Sequence, residues 1–416
     1  MKLLTRRVGT YNPLDLNSYE KLGGMKGLRQ AVEVGPEKTI ERIKQSGLTG
    51  RGGAGFPTGA KWESAAKQKH RPKYFICNAD EGELGTFKDK VLLDGDPWSI
   101  LEAILIGAYV TGAEHAYIYI RGEYEDTFRL WEKIVSKARE AGLIGSNVLG
   151  SNFSVGLYVA KGRGLYIAGE EFALIASLET RRPMSSPKPP YPTEKGLFGK
   201  PTVINNVETL ANVPVILEEG AERYRRLGTP DEPGTRLFSL SGDVKKPGVC
   251  ELEIGSATLR ELIGQFGEGT ISGRQIKAVQ PGGGTSALLG KDSLDCILAT
   301  EAIKKAGSQI GTAGVIVYEE PQSAVEIVRK LLAYYSNESC GRCAPCRIGT
   351  VKMQEIVENI SEGKGQEDDI LRLREIANAA VKVSTCGLGQ AFPLPVLSAL
   401  ELFPKDFESV VGKVRA

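Results

Sequence analysis

Tyr74-Phe75-Ile76-Cys77-Asn78-Ala79-Asp80-Glu81-Gly82-Glu83 decides the fold. Four apolar or aromatic residues in a row, followed by an abrupt change to amide and carboxylate side chains, read as a buried strand that opens at its C-terminal end on a polar cluster. Open α/β sheets keep their ligands there. Downstream, Pro97 starts a helix reaching about residue 110, and 115–121 reads as a strand. An amphipathic helix over 123–141 turns Phe128, Leu130, Trp131, Ile134 and Val135 inward. Residues 155–160 form a further strand, and Gly164-Leu165-Tyr166-Ile167-Ala168-Gly169-Glu170-Glu171 leads into a helix ending near 180. The proline-rich stretch 182–192 is an irregular loop. Helix alternating with strand predicts a layered α/β domain over 1–235.

Upstream of the deciding stretch, a short helix over 35–46 runs into Gly50-Arg51-Gly52-Gly53-Ala54-Gly55-Phe56-Pro57-Thr58-Gly59. Gly50-x-Gly52-x-x-Gly55 has the dinucleotide-binding spacing, but that motif needs a strand before it, and here a helix precedes. A bare structural turn is the other plain alternative. As a ligand loop, its amides and Lys61 would neutralise phosphate while Phe56 stacks on a planar ring, which points to a nucleotide or a flavin. Asn78, Asp80, Glu81 and Glu83, with Glu170 and Glu171, are too many polar groups for a phosphate cage and suit ribose hydroxyls and heterocycle N–H groups. Glu170 and Glu171 at a helix start, and Asn205 and Asn206 as helix caps, are the structural alternatives.

Beyond Pro233-Gly234 the texture changes. Short strands at 237–242, 249–252, 276–279 and 315–318, with a helix near 258–266, predict a small mixed β domain over 236–320. Helical periodicity then dominates 321–416, with helices expected at 324–335, 348–360 and 369–383. Between the first two lies Ser339-Cys340-Gly341-Arg342-Cys343-Ala344-Pro345-Cys346-Arg347, and Cys386 follows in Ser384-Thr385-Cys386-Gly387. Three thiols at i, i+3 spacing with a distant fourth are an iron-sulfur ligand pattern, with Gly341 and Pro345 expected to keep the loop from becoming regular helix. Structural zinc, usually held by two separated Cys-x-x-Cys pairs or by Cys with His, and a chance group of buried thiols are the alternatives.

Composition narrows the classes. Of 416 residues, 41% are hydrophobic and 25% charged, enough for two to four packed domains. With 53 basic against 51 acidic residues there is no electrostatic case for nucleic acid. The N-terminus has no apolar segment after its charges, and the longest apolar stretch, near 100–110, is too short for a membrane span, so no direct membrane insertion is expected. Cys77, Cys250 and Cys296, outside the ligand set, are expected as buried thiols in a reducing, cytoplasmic compartment.

Five ordered motifs give the chain a wider resemblance: 50–62, 78–83, 166–171, Lys200-Pro201-Thr202-Val203-Ile204-Asn205-Asn206-Val207-Glu208-Thr209, and the cysteine set. Together they resemble the flavin-bearing NADH-oxidising subunit of respiratory complex I, the 51 kDa subunit, and its relatives in soluble NAD-linked hydrogenases and formate dehydrogenases. The resemblance implies a Rossmann-like FMN domain, a β-grasp (soluble-ligand-binding) domain and a C-terminal helical bundle carrying one 4Fe-4S cluster. It implies hydride transfer from NADH to FMN with no catalytic acid or base, Glu83 modulating at most. By that likeness Gly53, Lys61, Asn78, Asp80, Gly169, Glu170, Asn205 and Asn206 hold FMN, with Gly50, Gly52, Glu81 and Tyr166 in the same motifs. Phe56, Glu83, Glu171 and Lys188 contact NADH, and Phe56 and Tyr191 stack on adenine, Tyr191 standing where relatives commonly have phenylalanine. Ser64 lacks the aromatic ring of some relatives, and Leu84 replaces the usual proline. Cys340, Cys343, Cys346 and Cys386 ligate the cluster. The partners implied are a small thioredoxin-like 2Fe-2S subunit and a larger iron-sulfur subunit, on the peripheral arm of a quinone-reducing membrane complex. A flavin-free relay subunit is the rival from another class, against which Lys61, Asn205 and Asn206 argue. Glu83 and Glu171 near ribose hydroxyls would repel a 2′-phosphate, favouring NADH over NADPH.

Overall fold

The deciding stretch forms β1 (Tyr74–Ala79). In the computed structural model, which describes residues 2–409 and 411, β1 lies between β2 (His115–Ile120) and β4 (Thr202–Asn206), with β3 (Gly156–Lys161) beyond β2. All three pairings are parallel. The chain winds outward from β1 to β3 and then returns to the other side of β1, so the strand order reverses between β1 and β4. That reversal opens a crevice at the carboxyl ends of those two strands. The register pairs Cys77 with Asn205 and Asn78 with Asn206, so two polar segments distant in the chain meet at the switch point.

Parallel strands are buried on both faces, which is why β1 is an unbroken apolar run rather than an alternating one. One face packs on the helix Pro97–Thr111, started by proline and ended by Gly112 in the left-handed conformation at φ 69°. All but one of its residues are buried, so the long apolar stretch is a core helix. A Cβ on Gly107 would come within 2.2 Å of the Phe75 ring, so glycine is what lets this helix lie close to the sheet. The other face is covered by the helix Glu171–Leu178, through Leu174 and Ile175 against Ile76, Tyr119 and Ile204.

The next sheet holds β5 (Thr235–Gly242), β6 (Gly248–Glu253), β7 (Ile276–Gln280), β8 (Leu289–Gly290) and β9 (Gly314–Glu319), in the order β6-β5-β9-β7-β8. Only β5 and β9 pair in parallel. Leu259, Leu262 and Ile263 from the helical turn after β6 pack against Phe238, Leu240, Val315 and Val317, the β-grasp arrangement. The N-terminal segment is laced to this sheet, because the amides of Leu3, Leu4 and Thr5 donate to the Glu251 carboxylate. Of the three cysteines outside the ligand set, only Cys77 is buried as expected. Cys250 and Cys296 are partly exposed, because they sit at the margin of the small β-grasp core rather than inside it.

The C-terminal part is helical, with Ala324–Glu338, Ala344–Ser361, Asp369–Val383 and Leu394–Leu402 sharing a core of Leu332, Met353, Val357, Leu373 and Ala399. Pro345 departs from expectation. It does not interrupt helix but occupies the second position of Ala344–Ser361, where its missing N–H has no intrahelical partner to lose, so the helix begins four residues before Ile348 and takes Cys346 into its first turn.

Candidate functional site

The glycine loop folds back on itself at the mouth of the crevice. Gly50 N–H donates to Phe56 O at 2.9 Å, and the helix Thr58–Ala66 follows, so the loop joins helix to helix and lacks the preceding strand of a dinucleotide fingerprint. Arg51 anchors it from below: its N–H donates to Thr209 Oγ1 at 2.8 Å, and its buried guanidinium donates to Glu232 at 3.0 Å and Pro233 O at 2.7 Å. Gly52 is pressed on Asn206, since a Cβ there would sit 2.8 Å from the Asn206 Cβ. Gly53, at φ 118°, has open space where its side chain would be, leaving its backbone free to face a ligand. Phe56 is 54% exposed and Tyr191 53% exposed, so both rings are available for stacking.

Lys61, on the helix after the loop, reaches Glu171 at 3.0 Å and Ile204 O at 3.1 Å. Glu171 is bridged again by Lys188 at 2.6 Å, and Lys188 lies 3.6 Å from Glu170. Burial opposes ionisation of Glu171, but the ammonium groups of Lys61 and Lys188 overcome it and hold its carboxyl down at about 2. Glu170 is the N-cap of Glu171–Leu178, accepting from Phe172 and Ala173 N–H at 3.1 Å each. Both glutamates thus start a helix and also lie against Lys188, with Glu171 reaching Lys61 as well.

Asn78 donates to Gly169 O at 2.8 Å and accepts from Asp80 N–H at 3.1 Å, tying the β1 end to the Tyr166–Gly169 turn. Asn205 accepts from Trp62 Nε1 at 2.8 Å. Asn206 caps Val207–Glu219 and donates to Asp89 at 2.5 Å, so the cap reading holds for Asn206 and not for Asn205, which lies within β4. Two carboxylates have other work than the sequence suggests. Glu81 accepts from Asp89 N–H, Lys90 N–H and Tyr124 Oη, which fixes the start of the helix Lys88–Gly95. Glu83 is buried, with both oxygens hydrogen-bonded to Tyr166, Thr285 and Tyr335. Thr285 and Tyr335 carry no motif signal in the sequence, and the glycine run Gly282-Gly283-Gly284 before Thr285 is the one cue.

Asp80 is the exception. Both its carboxylate oxygens are buried without any hydrogen-bond partner. Burial pushes its carboxyl up to about 7, with Arg121 only partly opposing. A buried carboxylate left without donors just beyond β1 fits a ligand that brings its own hydroxyl or N–H donors, as the ribityl chain and ring of FMN do. Raising the native pKa above the unfolded one makes the folded chain hold a proton that the unfolded chain has released. The flavin-free protein is therefore penalised as pH rises from about 4 through 7, by up to about 4 kcal/mol. Asp80→Asn is expected to raise the melting temperature of flavin-free protein at pH 8, to leave it unchanged near pH 4, and to weaken flavin retention; calorimetry at the two pH values checks this.

The four cysteines gather at one end of the helical part, packed on the same core. Cys343 and Cys386 are the N-caps of Ala344–Ser361 and Gly387–Ala391. Against partial burial, N–H donors of Thr385 and Cys346 hold the Cys343 thiol below its usual range. Burial pushes Cys346 up to about 11, with Ser339 Oγ 3.2 Å from its sulfur. Thiols facing backbone donors suit an anionic cluster, whose potential such donors tune. Among the described residues no three His, Cys, Asp or Glu side chains close on a point that would hold a single ion. Four thiols packed on one core, two of them at helix N-termini, fit a cluster that takes one thiolate per iron.

Two family models match the chain: the Nuo51 FMN-binding domain over residues 43–215, and the NADH-ubiquinone oxidoreductase-F iron-sulfur binding region over 326–410. The first spans the glycine loop, the switch point and Asn206; the second spans all four cysteines. The chain is similar to an NADH-quinone oxidoreductase subunit of Aquifex aeolicus, with 43% identity over 98% of this chain and 94% of that one. It is also similar to the NADP-reducing hydrogenase subunit HndC of Solidesulfovibrio fructosivorans, with 39% identity over 99% of this chain and 84% of that one. Among solved structures, the crystal structure of an NAD+-reducing [NiFe]-hydrogenase in the H2-reduced state matches with TM-score 0.85 and 34% identity, covering 97% of this chain and 67% of that one. With this coverage and with both the flavin and cluster regions in place, the chain belongs to the family of the FMN-binding, iron-sulfur subunit of NADH-quinone oxidoreductases and its hydrogenase relatives.

Proposed function

We propose that this chain is the NADH-oxidising entry subunit of a quinone-reducing complex, taking two electrons from NADH and releasing them singly through its cluster to a partner iron-sulfur subunit. FMN, when bound, accepts a hydride and can give up electrons one at a time, which is the conversion an NADH-to-iron-sulfur relay needs. The residues supply position. Lys61 and the glycine amides face phosphate, Asp80 accepts from the flavin, Asn78 braces Gly169, and Phe56 and Tyr191 hold adenine between exposed rings. Glu171 remains charged between Lys61 and Lys188 and disfavours a 2′-phosphate, which is the basis for NADH as substrate. Lys61→Met is expected to lower FMN affinity by roughly tenfold or more, through the lost charge and the loss of one of the two ammonium partners of Glu171, and flavin fluorescence on dilution measures it.

One observation above all supports this function: the polar crevice at the ends of β1 and β4 and the four-cysteine end of the helical part are joined by a single helix, Ala324–Glu338. Cys340 lies two residues beyond its end, and Tyr334 Oη on it donates to Gly82 O at 2.9 Å. The chain divides accordingly into an FMN and NADH domain over 1–235, a β-grasp domain over 236–320 and a cluster domain over 321–416. The partners we infer are a small thioredoxin-like 2Fe-2S subunit, of about the 24 kDa type, and a larger iron-sulfur subunit. No helix of the described residues is long and apolar enough to cross a membrane, which accords with a place on the cytoplasmic peripheral arm.

Similarity to a hydrogenase subunit and to a hydrogenase structure supports a second reading, in which the same module serves a soluble NAD-linked hydrogenase. Purification of the affinity-tagged full chain from its own host, with assay of the co-purifying assembly, separates the two. NADH-dependent quinone reduction supports the first reading. Hydrogen-dependent reduction of NAD without quinone activity supports the second.

A further inference from the structure

Glu83 is where three parts of the chain meet. Its Oε2 accepts from Tyr166 Oη at 2.7 Å and Thr285 Oγ1 at 3.2 Å. Its Oε1 accepts from Thr285 N–H at 3.0 Å and Tyr335 Oη at 3.1 Å. Tyr166 belongs to the turn that carries Gly169, Thr285 to the loop after β7, and Tyr335 to the helix that ends just before Cys340. Two bonds run alongside: Tyr334 Oη to Gly82 O at 2.9 Å, and Tyr166 N–H to the Glu338 carboxylate at 2.7 Å. The three tyrosine rings pack edge to face, with centroids 5.1 to 6.4 Å apart.

The surrounding backbone is cut to fit this carboxylate. A Cβ on Gly283, at φ 92°, would lie 2.4 Å from Glu83 Cγ; on Gly284 it would lie 2.6 Å from Tyr335 Oη; on Gly82 it would lie 2.9 Å from Tyr166 Cα. Three glycines in two distant segments thus clear room for the same contact. Four donors fill the acceptor sites of this buried carboxylate, and they come from three elements that could otherwise slide against one another.

We propose that Tyr335 and Thr285 are positioning residues that, through Glu83, lock the cysteine-bearing helix to the flavin crevice and so set the flavin-to-cluster electron-transfer rate. The inference rests on the function proposed above, in which electrons pass from FMN to the cluster. In that step a single electron would pass from reduced flavin to the cluster, oxidising the one and reducing the other by one electron with no bond made to the protein, so distance and orientation are what these residues can set. Tyr335→Phe keeps the ring and deletes one donor to Oε1. Thr285→Val deletes its hydroxyl donor to Oε2 and keeps the N–H bond.

The test uses the full chain loaded with FMN and cluster, with flavin and iron contents matched between variants. A light flash in the presence of a sacrificial electron donor reduces the bound flavin without any nucleotide, and absorbance follows the cluster. Tyr335→Phe is expected to slow cluster reduction by about fourfold or more, through a lengthened and reoriented path between flavin and cluster, and Thr285→Val to slow it less. NADH bleaching of the flavin, measured separately, is expected to stay within about twofold in both variants, because Tyr335 and Thr285 are not among the residues placed against FMN or NADH and each variant leaves Glu83 three of its four donors. Cluster reduction within about twofold of the unaltered protein would overturn the proposal, and so would a slowing of both steps in equal proportion. Because the flash bypasses NADH, failure of NADH to bleach the unaltered protein would count against the proposed function and leave this test intact.

Discussion

Cys346→Ala yields a protein whose flavin is still bleached by NADH but whose cluster is lost, with electron delivery to any downstream acceptor reduced on the order of 10²-fold or more. Cys346 is the most enclosed of the four thiols, 5% exposed, and sits in the first turn of Ala344–Ser361 with Gly349 and Met353 buried behind it. Removing it takes one ligand from the cubane and opens the core side of the site to water. Loss even of a partner behind a metal ligand costs 10- to 100-fold in affinity, so loss of the ligand itself is expected to exceed that. Iron and acid-labile sulfide per flavin, with a stopped-flow record of flavin bleaching, separate the two effects. Full iron content in Cys346→Ala, with unchanged electron delivery, would remove Cys346 from the ligand set.

Lys88→Met is the second large effect, on stability. Lys88 is 1% exposed and lies 2.9 Å from Asp89 and 2.6 Å from Glu208, themselves 4% and 0% exposed. Despite burial, which opposes the charge, the carboxylates of Asp89, Glu208 and Glu81 raise the lysine pKa, so the group is held as a cation. Glu208 also accepts from Leu237 N–H at 2.9 Å, and Asp89 accepts from Asn206, so the network runs from the flavin crevice to the start of β5. Deleting the cation strands two buried carboxylates, a loss of about 3 to 5 kcal/mol. For a unit of this size that lowers the melting temperature by roughly 6 to 20 °C. Flavin should be lost with it, because Asp89 then no longer holds Asn206 against Gly52. Adding Asp89→Asn and Glu208→Gln to Lys88→Met is expected to restore much of the stability, since the two carboxylates in contact with Lys88 are then replaced by neutral amides of the same size. Calorimetry of the single and triple variants measures both.

Much of this architecture is legible from local pattern. β1 is an apolar run ending in polar groups, the helix Pro97–Thr111 has its proline and glycine boundary signals, and the cysteine spacing favours an iron-sulfur cluster while leaving zinc as an alternative. What is not legible has physical reasons. Thr202–Asn206 becomes β4 although its apolar residues are too few to signal a strand; pairing with β1 makes it one, and that pairing is what brings Asn205 and Asn206 to Asn78. Pro345 reads as a breaker until its place in the first turn is known. The carboxylates divide by environment rather than by type. Asp80, Glu81 and Glu83 are close neighbours in the chain and all are buried, yet Glu81 caps a helix, Glu83 binds three segments together, and Asp80 alone is left without donors. Those partners come from Tyr124, Thr285 and Tyr335, and sequence spacing does not place them.

Passage of electrons from NADH through FMN to the chain's own cluster is measured by anaerobic titration of the purified, FMN-loaded, iron-replete chain with NADH, following visible absorbance and the low-temperature electron spin resonance of the cluster. NADH is expected to bleach the flavin band and to raise a reduced-cluster signal, flavin and cluster together taking three electrons, so that about 1.5 equivalents complete the titration. A flavin band unchanged by NADH, with FMN and iron both shown to be present, would contradict it and leave a relay subunit fed from elsewhere.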